Sequence, residues 1–160
     1  MARTAELPLS ERLFLRAYPW RRIDPVPWAR PRRPTAEARV ALVASAGLSA
    51  PGQEPFDVTV RGGDWSWRRL DGDLDVAALV ENQRSETFDH AGVAADRNLA
   101  FPLDRLRELA RDRRIGSVAG VHASIMGSIT APGRLVRNSA PEIAAALADD
   151  QVDVALLVPV

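Results

Sequence analysis

The sequence predicts a single α/β domain with a mainly parallel sheet and helices on both faces, preceded by a Pro/Arg-rich N-terminal arm. Three observations predict it. Two apolar, β-branched runs, Arg39 to Ala46 and Val152 to Val160, have the near-continuous hydrophobicity of strands covered on both faces, and both are expected to be central. A helical pattern leads into a buried strand twice in the second half of the chain, as crossover units require. With 46% apolar and 26% charged residues over 160 positions, the chain suits one globular domain rather than a disordered segment.

Taken in order, residues 1–38 read as a short helix and an arm, and residues 39–160 as the α/β domain. Ser10 is placed to cap a helix carrying Leu13, Phe14 and Ala17, ended before Pro19. From Trp20 to Pro34, four prolines stand among arginines and disfavour helix and strand alike. Residues 1–39 hold nine Arg against four acids, and with Trp20 and Trp28 this invites single-stranded nucleic-acid binding. The charge is local, however, because 21 basic and 21 acidic residues cancel over the whole chain. The preferred reading is an arm anchored by its two Trp rings, with no nucleic acid and no membrane as partner.

Phe56 to Val60 alternates like a short strand, Arg61 to Asp64 reads as a turn, and Trp65 and Trp67 share a face. Asp73 is placed to cap a helix from Leu74 to about Gln83. Phe101 to Arg113 has an amphipathic pattern, with Asp104–Arg107 and Glu108–Arg111 as surface pairs one turn apart. Ser139 to Glu142 spells a capping box before a helix carrying Ile143 and Leu147.

Two polar stretches hold the candidate chemistry. Arg84 to His90 leads through Gly92 to Asp96-Arg97-Asn98, and a second runs from His122 to Ser128, so both histidines are expected in loops. A Ser–His–Asp hydrolase drawn from Ser124, His122 and Asp96 has no nucleophile elbow to support it. A metal site from His90, His122, Asp89 and Asp96 lacks HxH or HExxH spacing, and no metal is expected. Gly47 stands alone after the first strand without a G-x-G-x-x-G, which argues against a dinucleotide. The chain contains no Cys, so no disulfide, thiolate metal site or thiol nucleophile is present in it. No signal-peptide core and no apolar run of about 18 residues occurs, and a cytoplasmic location is expected. All basic residues are Arg, which is attributed first to a GC-rich coding sequence.

Phe88-Asp89-His90, Asp96-Arg97-Asn98, Phe101 to Leu106, His122 to Gly127 and Val152 to Val160, in this order and spacing, resemble the selenoprotein B family of glycine, sarcosine, betaine and D-proline reductases. In that family the segment similar to Leu-Leu-Val-Pro-Val runs into a selenocysteine or cysteine. The resemblance therefore implies an oxidoreductase with a dithiol/disulfide-type couple whose redox residue, a selenocysteine, follows Val160. It makes this 160-residue product truncated at its C-terminus and inactive alone; ending on a buried strand without the helix that should cover it, the product is also expected to expose apolar surface and be poorly soluble or self-associating. His90 and His122 become candidate catalytic residues, and Asp89, Asp96, Asn98, Ser124, Met126 and Gly127 candidate substrate-binding ones. A small-molecule substrate, a pyruvoyl-bearing partner subunit or a thioredoxin-like reductant would be the partners. No other cofactor is expected within the chain. The alternative is a non-catalytic α/β module that binds a small ligand or a protein through a pocket of His90, Asp96, Asn98 and His122.

Overall fold

The computed structural model describes residues 8–18 and 22–160. The chain divides into two compact units, residues 1–30 and 31–160. In the first, α1 (Leu9–Ala17) begins after Pro8, so Ser10 lies inside the helix and caps nothing. Phe14 and Tyr18 pack their rings 5.5 Å apart at its end. Trp28 is 79% exposed and is no anchor; Trp20, the other expected anchor, lies outside the described residues.

The second unit is an α/β fold around β1 (Arg39–Ala44). The other strands of its five-stranded sheet are β3 (Trp67–Asp71), β5 (Ser117–Val118), β6 (Val121–Ile125) and β7 (Val154–Val158), and β2 (Leu48–Ser49) with β4 (Val80–Glu81) forms a small antiparallel pair. β7 runs parallel to β1 over Val40–Ala44. On the opposite edge of β1, β5 pairs at Arg39 and Val40, and β6 takes over at Val43 and Ala44, both parallel. β3 pairs antiparallel with β6.

The alternation of β1 explains why two helices are needed. Val40, Leu42 and Ala44 face a core that contains Leu103 and Leu106 of α3 (Leu103–Arg111) together with Phe101. Ala41 and Val43 face the other way, against Ile143 and Leu147 of α4 (Ala140–Asp149). Both faces of the sheet are thus covered at β1, as the apolar run predicts. The crossover into β7 is fixed by charge. Arg39 Nη2 lies 2.6 Å from Asp150 Oδ1, whose second oxygen accepts the Gly120 and Val121 amides at 2.7 and 3.1 Å. Burial works against the Asp150 charge, but Arg39 and these amides hold its carboxyl below the usual range.

Several expected elements form differently. β7 is not central: among the described residues it pairs only with β1, and Leu156 and Leu157 are 44% and 68% exposed. Apolarity marks a surface that needs cover without naming the neighbour that supplies it. Phe56 to Val60 is irregular; Phe56 is buried under the Arg68 guanidinium, whereas Asp57 turns the chain through Thr59. The helix expected from Leu74 to Gln83 shrinks to one 3₁₀ turn, Val76–Ala78, capped by Asp75 rather than Asp73, before β4. Val80 and Glu81 then pair with β2, and this tertiary pairing overrides helix propensity. Ser139 and Glu142 form no capping box. The Ser139 hydroxyl donates to the Trp65 carbonyl and Glu142 accepts from the Trp67 indole, so both side chains staple α4 to the β3 segment. Arg107 is more than a surface partner of Asp104, since it also donates to the Gly72 and Leu74 carbonyls at 3.0 and 2.7 Å.

Position on β1 or β7 should therefore decide the cost of a truncation. Leu42→Ala, at a fully buried site, should lower unfolding stability by roughly 2–5 kcal/mol, whereas Leu157→Ala should change it by less than about 1 kcal/mol in urea titrations. Equal costs would contradict the edge position of β7.

Candidate functional site

In parallel sheets ligands gather outside the carboxyl ends of the strands. Here β1, β6 and β7 deliver Ser45, Met126-Gly127 and Val158–Val160 to one end. Ser45 joins them: its amide donates to the Val158 carbonyl at 3.1 Å, and its hydroxyl accepts the Val160 amide at 3.1 Å. Gly127 has to be glycine, because a Cβ there would lie 2.6 Å from the Ser45 carbonyl oxygen.

Buried Gln83 ties this edge to the segment after β4. Its Nε2 donates to the Ser45 carbonyl at 3.1 Å, and its Oε1 accepts from the Ser128 hydroxyl at 2.7 Å and the Arg84 amide at 2.9 Å. Glu81 accepts the Gln83 amide with one carboxylate oxygen and faces His90 Nδ1 at 2.8 Å with the other. His90 Nε2 meets the Ser85 carbonyl at 3.0 Å. Both ring nitrogens therefore face acceptors, an arrangement that an imidazolium satisfies and a neutral ring does not. The Glu81 hydrogen bond, then the Ser85 one, raises the His90 pKa above its ordinary value. The result is a polar chain from a half-exposed His90 through Glu81, Gln83 and Ser45 to Val160.

The other sequence-predicted residues are placed elsewhere. His122 and Ser124 lie on buried β6, not in a loop. The sheet itself accounts for both: the changeover from β5 to β6 leaves the Leu42 amide without a strand acceptor, and His122 Nδ1 accepts it at 2.9 Å. Ser124 Oγ likewise accepts the Leu48 amide at 2.9 Å, so each side chain serves a backbone group. The His122 ring stands edge-on to Phe101, 5.7 Å between centroids. Burial, with the Arg107 charge behind it, pushes the His122 pKa down to about 4. Asp89 caps α2 (His90–Ala95) through the Gly92 amide. Asp96 accepts from Asn98, and Asn98 in turn holds Asp104 at the start of α3, keeping the Asp104 carboxyl below its usual range. Asp96 and Asn98 line a small cavity of about 150 Å³ that includes neither histidine. Met126 is buried and bridges Ala46. Among the described residues no three His, Cys, Asp or Glu side chains gather as a metal site.

A family model described as glycine/sarcosine/betaine reductase selenoprotein B matches residues 7–159. The chain belongs to this family. The gamma subunit of D-proline reductase from Acetoanaerobium sticklandii is 30% identical over 136 residues, covering 84% of this chain and 54% of the relative. The gamma subunit of glycine reductase complex component B from Symbiobacterium thermophilum is 29% identical over 141 residues, 88% of this chain and 32% of the relative. The chain thus spans about half the length of the first relative and about a third of the second. No solved structure matches it.

Within this selenoprotein B family chain, Ser45, Glu81 and Gln83 escaped the sequence reading, while Ser128 ends the second polar stretch it singled out. Ser45 closes an apolar strand just before Gly47, a legible position for an edge residue. Gln83 carried no signal, because the segment around it reads as helix. Among the described residues no helix is long and apolar enough to cross a membrane.

The pKa values of the two histidines should be displaced in opposite directions. His90 should show an NMR pKa above about 6.5, falling back toward that value in Glu81→Gln. Any stability it gives is complete below the unfolded pKa and is lost as pH rises through the folded one. The His122 contribution is present above about pH 6.5 and is lost as pH falls through about 4, a loss of roughly 3 kcal/mol. His122→Asn, which retains an acceptor, should flatten the urea midpoint between these limits; an unchanged slope would contradict the buried neutral ring.

Proposed function

We propose that this chain works as part of a multi-subunit reductase of the selenoprotein B type, and that a selenocysteine or cysteine following Val160 carries its redox chemistry. Family membership supports the reductase reading, and the relatives' names, subunits of D-proline and glycine reductases, support partner subunits. The observation that carries the site is the position of Val160. It is held by Ser45 at the carboxyl edge of three parallel strands, where this architecture collects ligands.

The residues present there suit an anionic selenolate or thiolate. The Ser45 hydroxyl fixes the backbone that precedes the redox residue. Gln83 keeps the β1 and post-β6 segments in register through Ser45 and Ser128. The redox residue would supply the nucleophile for reductive cleavage of a small substrate, activated by a pyruvoyl-type carbonyl on a partner subunit. A thioredoxin-like dithiol would return the electrons. Glu81 and His90 act as positioning residues in this scheme, and the setting would be cytoplasmic.

The nucleotides after codon 160 test the assignment. A UGA followed by an in-frame continuation with a nearby Cys codon, or a Cys codon itself, is the expected result. UAA or UAG would sink it and leave the non-catalytic binding module in its place. In the extended protein, Ser45→Ala should slow thiol-dependent reduction several-fold with the fold intact by circular dichroism. An unchanged rate would detach Ser45 from the site.

A further inference from the structure

The loop that leaves the candidate site also builds a second feature. After Ser128, which binds Gln83, the chain presses against the turn at Gly62-Gly63: the Thr130 and Ala131 amides both donate to the Gly62 carbonyl, at 3.0 and 3.1 Å. At Gly63, with φ of 97°, a Cβ would lie 2.7 Å from the Ser128 carbonyl oxygen, so the two loops meet backbone to backbone. The Ser139 hydroxyl then fastens the far side to the Trp65 carbonyl. These staples enclose a cavity of about 370 Å³.

Its lining is chemically one-sided. Arg61, Arg134 and Arg137 converge on it with the Trp65 ring, Val60 and Pro132, and no Asp or Glu is present. Among the described residues none of these three guanidiniums has a hydrogen-bond or ion-pair partner, whereas Arg39, Arg68, Arg97 and Arg107 are all engaged by carboxylates or carbonyls. Three like charges around one cavity repel each other unless an anion lies between them. Guanidinium forks match the two oxygens of a carboxylate, and an indole face with aliphatic neighbours suits a carbon skeleton more than a bare inorganic ion.

We propose that this cavity binds a small organic carboxylate, held by Arg61, Arg134 and Arg137 with its carbon skeleton against Trp65. The identification of that carboxylate with a reductase substrate rests on the function proposed above. The binding itself does not. Residues 127–131 run from the Ser45–Gln83 edge to the cavity wall, so a carboxylate anchored here lies one loop away from the proposed redox position.

Calorimetric titration of the full 160-residue chain with acetate, cyclopentanecarboxylate and inorganic phosphate, each alone, tests the site without any redox readout. Cyclopentanecarboxylate, an anion whose ring can lie on Trp65, should bind more tightly than acetate, and both more tightly than phosphate. Arg134→Ala with Arg137→Ala should weaken cyclopentanecarboxylate binding by about tenfold or more, with Arg134→Lys intermediate because it keeps charge but loses the fork. Trp65→Phe should weaken cyclopentanecarboxylate more than acetate. Three results would each overturn the inference: no saturable carboxylate binding, phosphate binding as tightly as the carboxylates, or binding indifferent to the arginine changes. Such a failure would leave the redox assignment standing, since that is decided by the codon after Val160 and by reduction rates.

Discussion

The structure depends on the double engagement of β1. It is paired on both edges and packed on both faces, so every backbone and side-chain direction of the strand is spoken for. One edge is interrupted where β5 gives way to β6, and a backbone amide deprived of its acceptor in a dry core is costly. The His122 imidazole repairs that gap by accepting the Leu42 amide, and burial, with the Arg107 charge behind it, favours the neutral ring and pushes its pKa down to about 4. A histidine that in sequence suggests catalysis is here a piece of the sheet's hydrogen bonding.

The same strand sets the site. Because β1, β6 and β7 run in one direction, their carboxyl ends converge, and Ser45 sits at the convergence. The antiparallel β2–β4 pair brings Gln83 beneath Ser45, and the Glu81 next to it reaches His90. His90 and Val160 mark the two ends of this chain of contacts. The arginine cavity stands on the next loop, positioned by Ser128 and by the glycine contact at Gly63.

The family, the α/β class, the two helices α3 and α4 and the strand β1 were legible in the sequence, because period and apolarity report burial and the order of motifs reports ancestry. Misread were features whose cause is a distant partner. The 74–83 segment has helical composition but spends its residues on pairing with β2, and the capping-box pattern at Ser139 is diverted to Trp65 and Trp67, more than seventy residues earlier in the chain.

Sequence by itself therefore determined the family, the class of fold and the absence of any Cys in this chain, all properties carried by local pattern and composition. Tertiary structure alone decided that His122 and Ser124 serve the sheet, that β7 lies at an edge, and that Ser45, Gln83, Glu81 and His90 form one chain of contacts. The reason is physical. A side chain's chemistry is fixed by its identity, but its role depends on which unpaired backbone group or charge the fold brings within about 3 Å of it.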